Sequence, residues 1–169
     1  MKRAFHFTLI LLLGGCAGTL PRAISQPPTT PVSVREVQKG VESHLSREVR
    51  WGGDIIEVQN YSDHTDVLVL ARELSKGGEP KRDGGVDGRF IARFGSFIDP
   101  AQLPEGERLT VSGPVIGMER RKVGEYPYRY PVVQVTAWHL WPEPEPRTYY
   151  HDPWWPYYPG YPWRYPYWW

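Results

Sequence analysis

Two adjacent glycines, Gly52 and Gly53, lie inside a run of strand-forming residues that extends from Glu48 to Asn60. A glycine pair weakens a strand interior and marks a bulge or a sharp bend, the device a small sheet needs in order to curl back on itself. The run Glu48-Val49-Arg50-Trp51 through Ile55-Ile56-Glu57-Val58 is therefore expected to form one strand broken at its middle.

Four more runs follow it. Residues 65 to 74 alternate Val67, Val69 and Ala71 against Leu68, Leu70 and Leu74, so both faces are expected to be at least partly covered. Ser75 to Gly88 carries Gly77-Gly78, Pro80 and Gly84-Gly85 among charges and reads as a solvated turn. It lacks the G-K-[ST] ending of a phosphate loop. From Arg89 to Ile98, Phe90, Ala92 and Phe94 alternate with Arg89, Arg93 and Gly95, and Asp99-Pro100 ends the strand. Arg108 to Met118 forms a fourth strand with Leu109, Val111 and Val115, and Pro114 places its interruption at an edge or bulge. A charged turn, Glu119 to Glu125, leads to a fifth, in which Val133, Val135 and Ala137 alternate with Gln134, Thr136 and Trp138. These runs predict an all-β domain, a small five-stranded barrel over residues 33–142. The strand count, the broken first strand and the short third connection resemble an oligonucleotide/oligosaccharide-binding (OB) type barrel, although spacing alone leaves the strand order open.

Upstream, Ser33 and Glu36 form an S-x-x-E capping box, and Val34, Val37, Val41 and Leu45 recur at helical spacing. This predicts a short N-terminal helix, residues 33 to 44, with its apolar stripe on the barrel. Residues 16–32, including Gln26-Pro27-Pro28-Thr29-Thr30-Pro31, hold few apolar side chains and read as a flexible, proline-stiffened spacer.

At the front, Lys2 and Arg3 precede a hydrophobic run from Ala4 to Leu13, the shape of a signal peptide over residues 1–15. The run is about half the roughly 20 residues that a membrane-crossing helix needs. Leu13-Gly14-Gly15-Cys16 resembles a bacterial lipobox. That resemblance implies a diacylglycerol on the Cys16 thiol, removal of the leader and acylation of the new amino group. At about 0.8 kcal/mol per buried methylene, two or three acyl chains make a lasting anchor. Cys16 is the single cysteine of the 169 residues, so no internal disulfide is available and the exported domain rests on its hydrophobic core. By the sorting rules of such proteins, Ala17 in place of an aspartate implies the outer membrane, on its periplasmic face.

Taken together, Val49-Arg50-Trp51-Gly52-Gly53, Phe97-Ile98-Asp99-Pro100 and the stretch from Val132-Val133 to Trp141-Pro142 resemble the Slp outer-membrane lipoproteins. The likeness runs from the lipobox through about residue 142. It implies a starvation- or stationary-phase-associated lipoprotein with no established catalytic activity, and it supplies no catalytic or binding residues to transfer.

The residues themselves point the same way. Net charge is +1 with both signs interspersed, so the footprint of a nucleic-acid binder is missing. Asp54, Glu57, His64, Asp66, Asp87 and His139 follow no metal-ligand spacing, and no G-x-S-x-G elbow occurs. No catalytic residue, metal or cofactor is therefore expected. Trp51 and Trp138 are candidate stacking platforms for a sugar, lipid or small acid, or else core and rim packing. In residues 143–169, and above all from Tyr149 on, almost every non-proline position is tyrosine or tryptophan, as at Trp154-Trp155. Prolines bar a helix or central strand there, so a disordered tail is expected, its rings either seeking the outer membrane interface, an envelope protein or a glycan, or packing loosely on the barrel with no specific partner.

Overall fold

The computed structural model describes residues 20–143. Its strands are β1 (Glu48–Asn60), β2 (Thr65–Arg72), β3 (Val86–Phe94), β4 (Arg108–Val123), β5 (Tyr126–Gln134) and β6 (Ala137–Trp141). They form one sheet in the order β1-β2-β3-β5-β4-β6, and a further pairing of β1 with β4 closes five of them into a ring. All pairings are antiparallel except β3 with β5. The domain is all-β, as the runs predict, and the strand order that spacing left open is that of an OB-type barrel.

The closure depends on the glycine pair. Glu48 to Asp54 pair with β4, whereas Gly53 to Asn60 pair with β2, so β1 changes partners at its corner. A Cβ on Gly53 would stand 1.8 Å from the Leu70 carbonyl oxygen, and one on Gly52 would stand 2.7 Å from that of Leu109. Only bare backbone lets both neighbours approach. Inside the ring, alternate residues meet: Trp51, Val67, Val69, Phe90, Ala92, Leu109, Val111 and Val133 share one core, with Leu103 fully buried beside them.

The capping box is present, with Glu36 N–H donating to Ser33 Oγ at 3.2 Å and Ser33 N–H donating to Glu36 Oε2 at 2.7 Å. The helix it starts is shorter than 33 to 44. α-Helix Val34–Lys39 stops at Gly40, whose extended backbone (φ −164°) breaks the run, and a 3-10 turn covers Val41–His44. Val34, Val37 and Val41 join the barrel core, but Leu45, the last residue of the stripe, lies beyond the 3-10 turn and is 50% exposed.

Three further differences have physical causes. Glu119 to Glu125 is not a turn: β4 continues to Val123, and the reversal is confined to Gly124, at φ 58°, and Glu125. The fifth run divides at Val135-Thr136, which bond across to Arg93 and Ser112, and its end becomes β6, paired to the first half of β4. Gly113 permits this crossing, since a Cβ there would lie 1.8 Å from the Gln134 carbonyl. Finally, residues 20–32 lie against the barrel instead of standing free. A short helix, Arg22–Ser25, buries Ile24 completely, and Val32 is 8% exposed. One isoleucine and one valine anchor a segment whose composition reads as spacer.

The extra length of β4 and β5 gives the molecule a second layer. Their hairpin reaches across the outer face of β1, β2 and β3, where Leu68, Ile91, Tyr130 and Val132 form a separate core with Ile56, Val123 and Tyr128. Pro127 and Pro131 turn the same edge of β5, which has no partner before Val132, so their missing N–H groups cost no ladder bond.

Candidate functional site

Under this hairpin, ionisable side chains converge on a buried carboxylate. Asp66 on β2 is fully buried. Its Oδ1 accepts from Arg93 Nε at 2.8 Å, and its Oδ2 accepts from Arg93 Nη2 at 2.8 Å and from Arg121 Nη2. Glu119 completes the cluster, accepting from Arg93 at 2.5 Å and from Arg121 at 2.7 Å. Arg121 also donates to Gln59 on β1 at 2.7 Å, and its guanidinium lies 5.9 Å from the centre of the Tyr61 ring. Burial by itself would raise the pKa values of Asp66 and Glu119, but hydrogen bonds from the two arginines outweigh it and hold both below their ordinary values. The hydrogen bond to Asp66 in turn raises Arg93.

Two carboxylates and two guanidiniums thus neutralise one another, and neither carboxylate is held near neutrality, where a general base works. The arrangement suits a clamp. Arg121 on the hairpin reaches β1 and β2, strands that the second half of β4 does not pair with, and fixes where the hairpin lies. A buried pair of this kind specifies geometry more than it adds net stability.

The other ionisable candidates are dispersed. Asp54 pairs with Arg72 at 2.8 Å, Asp87 accepts from Val34 N–H at 2.8 Å at the start of the helix, and Glu57 accepts from Gln59. His64 stacks on Tyr61 at 4.6 Å with its Nε2 3.6 Å from Asp66, and His139 meets Trp141 edge-on. Among the described residues no three His, Cys, Asp or Glu side chains are grouped to hold a metal ion.

Trp51 is not an open platform. It is 6% exposed, packs edge-on against Phe90 at 5.3 Å, and its indole N–H donates to the Val32 carbonyl at 2.7 Å. Trp138 is half-buried and edge-on to Phe94. Both rings pack, the alternative named for them from sequence. Beside Trp51, however, lies a cavity of about 400 Å³ between Pro27, Pro28 and Pro31 on one side and Arg50, Trp51 and Leu74 on the other. Arg50 donates to the Ile24 carbonyl at 2.9 Å, forms no ion pair among the described residues, and has its pKa pushed down by burial. Sequence reasoning missed this cavity because the proline segment that forms its wall reads as spacer.

Leu13, Gly14, Gly15, Cys16, Trp154 and Trp155 lie outside the described residues. The segments leading to them do not. On the amino-terminal side, the Ile24 carbonyl sits so close to Gly78 that a Cβ on that glycine would come within 2.3 Å of it. On the carboxyl-terminal side, Glu143 N–H donates to Glu107 at 3.0 Å, and its carboxylate pairs with Arg82.

The sequence matches the family described as "Outer membrane lipoprotein Slp family" over residues 13–169. Among its relatives, the uncharacterized lipoprotein YeaY of Escherichia coli is 33% identical over 168 residues, covering 95% of this chain and 83% of that protein. An uncharacterized protein of Haemophilus influenzae is 30% identical, covering 81% of this chain and 74% of the relative. The outer membrane protein Slp of Escherichia coli is 25% identical, with 82% and 76% covered.

Proposed function

This chain belongs to the outer membrane lipoprotein Slp family, and from that premise we propose that it is a non-enzymatic lipoprotein, acylated at Cys16 and seated on the periplasmic face of the outer membrane. Its barrel and tail act by contact with envelope components, in maintenance of the envelope under starvation or other stress. The observation that carries this reading is the extent of the family match, which begins at Leu13, the first residue of the lipobox, and includes barrel and tail. The matched range thus runs through the residues read as lipobox, barrel and tail. The self-neutralised cluster around Asp66 supports the non-catalytic part, because its charges are committed to holding the hairpin.

Cys16→Ser tests the anchor. In a Gram-negative host the wild-type chain is expected in the outer-membrane fraction, with an acylated amino-terminal peptide in its mass spectrum, and the variant outside that fraction with its leader attached. Equal fractionation of the two would overturn the reading. For the stress role, a deletion strain is expected to admit more of a hydrophobic dye in stationary phase, and unchanged permeability would count against it.

A second reading is favoured by the cavity beside Trp51: a binding site for a small acid, in which Arg50 supplies the positive charge in a wall that also carries Glu36, Glu73 and Asp87. Arg50→Gln is expected to abolish any carboxylate-ligand affinity found by calorimetry, and retained affinity would dismiss the site.

A further inference from the structure

The domain has one side on which the chain both enters and leaves. A single loop, residues 73–85 between β2 and β3, touches both exits: Gly78 backs onto Ile24, and Arg82 pairs with Glu143. These two loop positions are four residues apart, so at most about 14 Å of chain separates them. The root of the tail is further tied to this loop through Arg108, which lies opposite Trp141 in the β4–β6 ladder and donates to Glu79 at 2.6 Å and to the Pro80 carbonyl at 3.0 Å.

The burial of Ile24 sets the length of the tether. If residues 16–32 stood free, the domain could ride well clear of its anchor. With Ile24 fully buried and its carbonyl held by Arg50, only eight residues separate this fixed point from Cys16. Eight residues span at most roughly 28 Å however they are arranged. A domain of this size is roughly 35 Å across. It is held within less than its own width of a surface to which Cys16 is fixed.

We propose that the β2–β3 loop, the segment around Ile24 and the end of β6 form the membrane-facing side of the domain, resting on the phospholipid headgroups of the leaflet that holds the acyl chains. This rests on the reading that Cys16 is lipidated. Glu143 then lies near the bilayer surface, and the sequence beyond it carries five tryptophans and seven tyrosines between Tyr149 and Trp169, residue types that favour the membrane interface. Charge on this side is largely paired internally, Lys81 with Glu73 and Arg108 with Glu79, so contact is with zwitterionic headgroups and needs no anionic lipid. The opposite end of β2, about 26 Å away along eight residues, carries the β1–β2 turn and exposed Phe97, which point into the periplasm.

The test uses the full-length lipidated protein in phosphatidylcholine vesicles that carry a nitroxide on the headgroup. Lys76→Cys in the β2–β3 loop and Ser62→Cys in the β1–β2 turn are each labelled with a fluorophore. Both positions are exposed, and a lipidated Cys16 takes no label. Quenching at position 76 is expected to be several-fold stronger than at 62 and unchanged by added salt. Gly78→Ala, which pushes Ile24 off the barrel and lengthens the tether, is expected to weaken it. Equal quenching at the two positions, or stronger quenching at 62, would overturn the proposal. Label on the wild-type chain would instead show Cys16 to be a free thiol, and the lipidation reading would fail separately.

Discussion

Replacing Asp66 by asparagine keeps the shape of the side chain and removes its charge. The carboxylate accepts three hydrogen bonds, two from Arg93 and one from Arg121. An asparagine offers one acceptor oxygen and turns an N–H donor toward a guanidinium, so at least one bond is lost and the others lose charge assistance. Hydrogen bonds to charged groups contribute about 1.5–3 kcal/mol each, and removing one partner of a buried pair costs about 3–5 kcal/mol. Both arginines keep Glu119, and their side chains remain 22% and 17% exposed, which relieves part of that cost. The expected loss is therefore at the low end, about 3 kcal/mol at neutral pH. In urea unfolding of the detergent-solubilised protein, followed by far-UV circular dichroism, an m of about 1–2 kcal/mol per molar puts the midpoint about 1.5–3 M lower. The pH dependence supplies a second check. The folded pKa of Asp66 is depressed, so the stability it contributes is fully present above its unfolded pKa of about 3.9 and is lost as pH falls through the folded value. The deficit of the variant should accordingly be full at pH 7 and close in acid. A variant within about 0.5 kcal/mol of wild type at pH 7, or a deficit that stays constant into acid, would refute the account of the clamp.

Two further predictions concern the barrel corner and the docked segment. Gly53→Ala is expected to destabilise by more than about 3 kcal/mol, because its methyl meets the Leu70 backbone, whereas Gly85→Ala, with nothing within 4 Å, should stay within about 0.5 kcal/mol; thermal unfolding compares them, and a tolerated Gly53→Ala would undo the argument for the bend. Trp51→Phe leaves the Val32 carbonyl without its donor and is expected to cost about 1–3 kcal/mol and to speed proteolysis within residues 26–32; unchanged cleavage there would mean that the indole does not hold the segment.

The barrel was legible because its signals are local. Alternation puts Phe90, Ala92 and Phe94 on one face, the Gly52-Gly53 pair bends β1, and Ser33 with Glu36 starts a helix, each within a few residues. What escaped depends on partners distant in sequence. Glu119 and Arg121 look like solvated charges until Asp66 and Arg93, 26 to 55 positions away, are brought beneath them. Ile24 is one large apolar residue in a short, mostly polar and proline-rich segment, and composition weighs it against its neighbours without foreseeing the slot between Arg50 and Gly78. Trp51 illustrates the same limit: the residue type was informative, but its burial depends on Val32 arriving from outside the strand.

The sixth strand lies outside the closed ring. β1 seals β4 without it, and β6 adds only a five-residue ladder along Arg108 to Ser112. A pull on the tail across this antiparallel pair, peeling from Trp141, would part its rungs one after another, like a zipper, while the ring stayed shut. The stripped border of β4 would then be open to a strand from another polypeptide, so the last few residues of the domain double as its removable edge guard.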